Sequence, residues 1–356
     1  MKNNQLNKFD KRIQSLPQDV VLMVARIDKL QGQWIAGAKL NPQALGRLKR
    51  SVLITSTGAS TRIEGSSLSD EEVEKLMKGL TTQKMQDRDT QEVRGYYELL
   101  SFVFEEHGNI KFSENISKQF HSQLLQYSDK DVRHRGQYKA LENRVDATDP
   151  DGNVVETIFE TTPMHLTSKE MQELFVWFDQ AAKNKNYHPL ITISCFVIDF
   201  LKIHPFLDGN GRLSRILTNL LLLKAGYEYI PYISHEKLIE ENKSDYYVAL
   251  RRSQKTFNSG NESIEDWTRF FLSMFELQTE QALKLLGDES IEKLLSPKQL
   301  IVWGYISQND NASIKDIEDG TDVARPTIRQ AVDRLLRLKK IERIGQGRTT
   351  RYKRSA

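Results

Sequence analysis

The chain has 356 residues, 38% of them hydrophobic, with 51 Lys and Arg against 48 Asp and Glu and a formal net charge of +3. That length exceeds the usual single core, and the composition supports real cores, which excludes a disordered chain. The single cysteine, Cys195, excludes an internal disulfide, and the most apolar run, "LITISCFVIDFLKI", is broken by Asp199 and too short to span a bilayer. The opening "MKNNQLNKFDKRIQ" lacks the apolar stretch of a secretion signal, so the cytoplasm is the expected compartment, with no membrane association.

Helical spacing dominates from the start. "DVVLMVARIDKLQGQWIAG" places Val20, Met23, Ile27, Leu30 and Trp34 at intervals of three and four. A second helix is predicted from Pro42, with Asn41 as a candidate cap, and a third in "SLSDEEVEKLMKGL", with Ser69 capping and acids in the first turn. "DTQEVRGYYELLSFVFEE", "SENISKQFHSQLLQ" and "TSKEMQELFVWFDQAAKN" read as helices too. Between the last two, "QYKALENRVDATDPDGNVVETIFETTPMH" holds two extended stretches around a turn at Pro150, Asp151 and Gly152. The prediction is a β-hairpin over roughly residues 137–162, serving either as surface elaboration or as a lid beside a cleft.

"PLITISCFVIDFLKI" is apolar on nearly all sides and is expected to be the central buried helix. Further helices are predicted from Arg212 to about Lys224, through "EENKSDYYVALRRSQ", and from Glu265 towards Leu286. Composition changes between Gly287 and Pro297, which places a domain boundary there. Beyond it, "SPKQLIVWGYISQ", "SIKDIEDGT" and "ARPTIRQAVDRLLRLKKI" read as three helices, and "ERIGQGRTTRYKR" as strand, glycine turn and strand. Residues 334–356 hold nine Lys and Arg against Glu342, a local balance of +8 on a remainder of −5. Such an end is either a solvated cationic face or a module for an anionic partner.

The densest chemistry lies in "HPFLDGNGRLSR", residues 204–215. Asp-Gly and Asn-Gly form hairpin turns, but Leu213, Ile216, Leu217, Leu220 and Leu223 make a helical stripe, so this turn opens a helix. His204 and Asp208 have the spacing of helical metal ligands, yet Pro205, Gly209 and Gly211 oppose a continuous helix through them. A calcium loop fails because Arg212 stands where an oxygen ligand is needed. An anion site remains: glycine-freed N–H groups, a helix N-terminus, and Arg212 and Arg215 with forked geometry suited to phosphates. Beside phosphates, Asp208 can hold Mg²⁺, and His204 can take a proton from an attacking hydroxyl.

These twelve residues match at every defined position the signature of the Fic family, His-Pro-Phe-x-Asp/Glu-Gly-Asn-Gly/Lys-Arg-x-x-Arg, and the chain from about residue 50 to 275 resembles the Fic fold. The resemblance implies a mostly α protein, with an N-terminal helical region at 1–100, a Fic catalytic core at 101–286 carrying a β-hairpin flap, and a small domain at 287–356. It implies transfer of AMP from ATP to a Ser, Thr or Tyr hydroxyl of a target protein, releasing pyrophosphate, with Mg²⁺ required. His204 would be the general base and Asp208 the metal ligand. Gly209, Asn210 and Gly211 would cradle phosphate, Arg212 and Arg215 would contact the outer phosphates, and Phe206 would anchor the loop. Ile158, Phe159, Glu160 and Thr161 of the flap would hold the target segment by strand addition. "DYYVAL" resembles the segment lining the adenine pocket, with Tyr246 and Tyr247 as candidates; Gln254 stands where Asn is common.

"STRIEG", residues 60–65, resembles the family's inhibitory motif, Ser/Thr-x-x-x-Glu-Gly/Asn, with Ser60 and Glu64 at its defined positions in a helix around 55–65. A carboxylate paired with Arg215 would occupy the place and charge that a γ-phosphate requires. The last domain is similar to winged helix-turn-helix domains, in which Arg325, Thr327, Arg329 and Gln330 would face DNA bases and Arg348, Arg351 and Lys353 its backbone; such domains also serve as protein-contact modules. Self-association to a homodimer is implied by family analogy. Two other readings stay open: a DNA-binding regulator with a nucleotide-sensing core, and a Fic enzyme that uses another donor or removes AMP.

Overall fold

The computed structural model of the chain describes residues 7–37, 42–79, 88–148, 154–185, 187–309, 311–338, 340–345, 347 and 350–355, without the side chains of 37, 42–44, 145–148, 154–159 and 286–294. The elements run α1 (Lys8–Gln14), α2 (Gln18–Gly37), α3 (Pro42–Ile63), α4 (Asp70–Met77), α5 (Arg88–Glu106) and α6 (Glu114–Leu124), then β1 (Arg144–Thr148) and β2 (Val154–Glu160). After these come α7 (Met164–Asn184), α8 (Pro189–Ile203), α9 (Asn210–Lys224), α10 (His235–Glu241), α11 (Lys243–Gln254) and α12 (Glu265–Leu294). The last elements are α13 (Pro297–Gln308), α14 (Ile314–Gly320), α15 (Arg325–Arg337), β3 (Ile341–Ile344) and β4 (Arg351–Arg354). The protein is mostly α-helical, and no described helix is long and apolar enough to cross a membrane.

Local chemistry sets many of the helix starts. Ser69 and Glu72 form a reciprocal capping box on α4, Ser296 and Gln299 on α13, and Ser313 and Asp316 on α14, each satisfying N–H groups that a helix start leaves unpaired. α3 begins at Pro42 as expected; Asn41 lies outside the described residues, as do Pro150, Asp151 and Gly152 of the hairpin turn.

α8 is buried along almost its whole length and packs against α7 and α9. Phe112, Phe175, Phe178 and Phe196 form an aromatic cluster on its α7 side. α1 docks through Arg12, whose guanidinium reaches Asp199 at 2.5 Å and Glu262 at 2.6 Å and lies 3.7 Å from the Phe257 ring centroid. This ties the N-terminal helix to α8, the element that ends at His204. α3 lies against α5, α10 and α9. Val20, Ile27 and Trp34 of α2 are buried, as their spacing requires.

Two features differ from the sequence reading. The hairpin strands are antiparallel and narrower than 137–162, with irregular register between Val145 and Asp146 and between Ala147 and Thr148. Residues 137–143 stay out of the strands because Lys139 and Asn143 are bonded to the turn at 203–206. α12 continues past Gly287 to Leu294, since one glycine costs a helix only about 1 kcal/mol. The chain divides into two compact units, Met1–Ala282 and Leu283–Ala356.

The second unit has its own core, including Val302, Ile306, Ile317, Ile328, Leu335 and Tyr352. Three helices are followed by the antiparallel pair β3–β4, and Ala312 bridges to Tyr352 of β4.

Candidate functional site

α8 stops at His204 because that residue adopts a left-handed conformation, φ 50°, and its N–H closes on Phe200 O at 2.9 Å. His204 Nδ1 faces Leu201 O at 3.2 Å; a carbonyl accepts, so this nitrogen carries the hydrogen and Nε2 keeps the basic lone pair. Burial pushes the imidazole down to about 4 from 6.5, so it is neutral at neutral pH.

The turn that follows is fixed by side chains. Asn210 Oδ1 accepts the Phe206 N–H at 2.9 Å and its Nδ2 donates to Phe206 O at 2.7 Å, clamping the loop shut. Asn210 thus shapes the turn with its side chain rather than pointing it at a ligand. Gly209 takes φ 79°, the left-handed region where glycine carries no steric penalty, and α9 starts immediately after it. Phe206 is completely buried and stacks on His121 with ring centroids 3.8 Å apart. His121 Nδ1 accepts the Gly136 N–H at 2.9 Å, which leaves Nε2–H to donate to Asp208 O at 3.0 Å. Burial takes His121 down to about 4.

Asp208 sits among cations. Its Oδ1 accepts from Gly209 N and, at 2.9 Å, from Arg212 Nη2, while Oδ2 lies 3.4 Å from Arg88 and 3.3 Å from Lys130. Burial opposes ionisation, but Arg212, Lys130, the Gly209 N–H and Arg88 outweigh it and hold the carboxyl down at about 2. Arg212 is 1% exposed and also pairs with Glu92 at 2.7 Å. Its guanidinium is therefore committed to two carboxylates here.

Arg215, 2% exposed, donates from Nε to Ser60 Oγ at 2.8 Å, and from Nη2 to Ser60 O at 3.0 Å and Glu64 Oε1 at 2.7 Å. The Glu64 carboxylate also covers the start of α9: a Cβ at Gly211 would collide with Oε1. Burial works against a charged Glu64, but the Arg215 guanidinium, with Arg212 and His204 behind it, holds it below the usual carboxylate range. Tyr246 lies beside this pair; burial raises its hydroxyl to about 12, against the nearby charge of Arg215. Its ring packs edge-on to Tyr247, Trp267 and Phe270. Gln254 turns inward and donates to Ile198 O at 3.4 Å.

His204, Asp208, Gly209, Asn210, Gly211, Arg212, Arg215, Ser60, Glu64 and Tyr246 thus meet around the α8–α9 turn, and burial raises the hydroxyl of Tyr247, the ring neighbour of Tyr246. Ile158 and Phe159 belong to β2 but their side chains are outside the described set; Glu160 is exposed, and Thr161 hydrogen-bonds Asn143 O at 2.6 Å. No sequence signal singles out Arg88, Glu92, His121, Lys130, Lys139 or Asn143. Each is an ordinary polar residue in its own segment, and only the packing of α5, α6 and the loop before β1 against the turn brings them in.

Among the described residues no cluster of three or more His, Cys, Asp or Glu could hold a metal ion. A single ionised carboxylate, Asp208, at a cationic turn suits Mg²⁺ that arrives with phosphate oxygens and water rather than a resident metal. Two buried arginines near a helix N-terminus, with a carboxylate lying over its first turn, are a candidate site for an anionic ligand.

Comparison with known proteins matches residues 111–222 to the Fic/DOC family. Over 106 residues, 30% of this chain and 19% of the relative, the sequence is 35% identical to Protein adenylyltransferase Fic of Drosophila grimshawi. Over 99 residues it is 29% identical to a Fido domain-containing protein of Dictyostelium discoideum, covering 28% of this chain and 64% of the relative. The matches therefore span less than two thirds of these relatives. The crystal structure of a Fic family protein from Desulfovibrio desulfuricans superposes with a TM-score of 0.60 at 24% identity, covering 96% of this chain and 97% of that one, and shares its fold.

Proposed function

This chain is a Fic family protein, and from that premise we propose that it is a protein adenylyltransferase whose Glu64 holds it inactive. The donor is ATP, and the acceptor is a Ser, Thr or Tyr hydroxyl of a target protein. The observation that carries this reading is the 2.7 Å pair between Glu64 and Arg215 at the head of α9, a carboxylate lying where an anionic substrate group would bind.

In this reading, His204 Nε2 accepts the proton of the acceptor hydroxyl as its oxygen forms a bond to the α-phosphorus. The bond to the bridging oxygen breaks and pyrophosphate leaves. The N–H groups at the start of α9 and the Arg215 guanidinium receive the phosphates once Glu64 withdraws. Asp208 would hold Mg²⁺, which when bound neutralises phosphate charge. An edge of the β1–β2 hairpin would align the acceptor segment, and Tyr246 and Tyr247 would stand at the nucleoside end. The whole-chain assignment includes a compartment in the cytoplasm and self-association into a homodimer.

Incubation of the Glu64→Gly chain with ATP and Mg²⁺, followed by mass spectrometry of the chain and of lysate proteins, tests it. A gain of one AMP on any protein supports the reading. Loss of AMP from a modified protein supports AMP removal instead, and no covalent change in either direction overturns transfer.

A second reading concerns residues 283–356. The order of three helices and a two-stranded sheet, with Arg325, Arg329 and Gln330 exposed on α15, Thr327 half-buried there, and Arg351 and Lys353 on β4, supports a winged helix-turn-helix unit that binds DNA. Arg348 lies outside the described residues. Salt-dependent binding of duplex DNA by the full chain would support this reading, and its absence at low salt would leave a protein-contact module.

A further inference from the structure

Lys139 is a buried lysine, 4% exposed, in the segment that leads into β1. Its Nζ donates to Asn143 Oδ1 at 2.7 Å, Thr161 Oγ1 at 3.0 Å and Ile203 O at 3.1 Å. Asn143 immediately precedes β1 and Thr161 immediately follows β2, so these are the two feet of the hairpin. Ile203 is the last residue of α8, next to His204. One ammonium therefore binds both feet of the hairpin to the end of the helix that presents the imidazole. Among the described residues no carboxylate lies within ion-pair distance of it.

The surrounding bonds continue the same join. Five consecutive carbonyls at and just past the end of α8 all find donors. Lys202 O accepts from Thr162 N at 3.1 Å, Ile203 O from Lys139 Nζ, and Pro205 O from Lys139 N at 2.8 Å. His204 O and Phe206 O accept from Asn143 Nδ2 at 3.3 Å and 2.8 Å. Four of the five thus take their donor from Lys139 or Asn143. A cation at Ile203 O also meets the negative end of the α8 dipole.

A buried cation held only by neutral oxygens is costly, because its hydration is only partly replaced. Burial accordingly lowers the Lys139 ammonium to about 8. A neutral, well-packed residue would fill the space at lower cost but could not donate three hydrogen bonds. What Lys139 uniquely supplies is the geometric coupling of hairpin to turn.

We propose that Lys139 is a positioning residue that sets the acceptor-holding hairpin in fixed register with the His204 turn. This rests on the transferase reading for the hairpin's role, while the coupling itself does not. Nζ touches neither nucleotide-binding groups nor the imidazole, so its loss should disturb acceptor placement and leave ATP binding alone.

The test uses the full chain in the Glu64→Gly background, with Lys139→Met, Lys139→Arg and Thr161→Val. Hydrogen exchange is followed over residues 144–148, 154–160 and 202–206, and ATP affinity is measured with labelled nucleotide. The acceptor in trans is the full-length His204→Ala chain. Lys139→Met should speed exchange in the hairpin and turn at least about tenfold with exchange elsewhere unchanged. It should raise the KM for the acceptor or lower transfer by roughly 10- to 100-fold, with ATP affinity held within about twofold. Lys139→Arg should restore both, and Thr161→Val should reproduce the exchange effect in part. Should Lys139→Met fail to fold, Thr161→Val carries the same comparison. Unchanged hairpin exchange in the folded variants, or ATP affinity falling in step with transfer, overturns the proposal. If no chain transfers AMP, the transferase reading fails, and hairpin exchange still decides the coupling.

Discussion

Glu64 Oε1 lies 2.7 Å from Arg215 Nη2, and this one contact joins the end of α3 to the second turn of α9 across 151 residues of chain. The two partners are unequally placed: the Arg215 side chain is 3% exposed, whereas that of Glu64 is 32% exposed. The arginine is fixed from behind by Ser60, and the carboxylate sits at the mouth. Displacement therefore requires moving only the glutamate.

Glu64→Gly should raise AMP incorporation from labelled ATP roughly 10- to 100-fold, the range of a charge-assisted hydrogen bond removed from the inactive state. Radiolabel or intact-mass measurement on both proteins decides it, and equal incorporation would remove the inhibitory role.

His204→Ala should abolish transfer yet keep ATP affinity within about threefold, since a base is not a binding group. The wild-type imidazole is held at about 4, so the neutral base persists well below the ordinary 6.5. The acidic limb of kcat/KM should accordingly fall below pH 6.5. Glu64 favours the imidazolium, so its removal shifts the limb further down. A limb at or above 6.5 would contradict the buried, neutral assignment.

Arg62 holds the inhibitory segment from the side. It donates to Glu240 at 2.5 and 3.2 Å and to Leu68 O at 2.8 Å, and it pairs with Asp70 at 2.9 Å. Arg62→Ala should loosen the end of α3 and raise basal transfer by a smaller factor than Glu64→Gly, about threefold. A double variant no more active than Glu64→Gly alone would place both on one path; full additivity would place Arg62 elsewhere.

Two buried histidines, His121 and His235, and the half-buried His204 make stability pH-dependent. His121 and His204 are held at about 4 and His235 at about 3, against 6.5 in the unfolded chain. The unfolded chain therefore binds protons first on acidification. Stability is fully present above pH 6.5 and declines as pH falls through 6.5 towards 4, with a slope of at most about 1.4 kcal/mol per pH unit for each histidine. Urea unfolding midpoints between about pH 7.5 and 5 measure it, and a flat profile would show that these rings are not buried neutral.

Much of the helical order was legible because each signal is local. Ser69 caps the helix that follows it, and the spacing of Val20, Ile27 and Trp34 marks a buried face. The glycines and arginines of 204–215 lie in one continuous stretch, so an anion-binding turn could be read without knowing what surrounds it. The extent of the hairpin was less legible. Residues 137–143 have no strand-breaking signature, and what keeps them out of the sheet is bonding to carbonyls more than sixty positions away.

By itself, then, the sequence determined that a histidine, a carboxylate and two arginines occur together on a turn that opens an apolar helix. The tertiary structure alone decided what each one touches. It committed Arg212 to Glu92 and Asp208, turned the Asn210 side chain onto its own loop, stacked His121 on Phe206, and placed Lys139 beneath the hairpin. The reason is physical: capping and periodicity act within a few residues, whereas the partner of a buried charge is whichever group packing brings within about 3 Å.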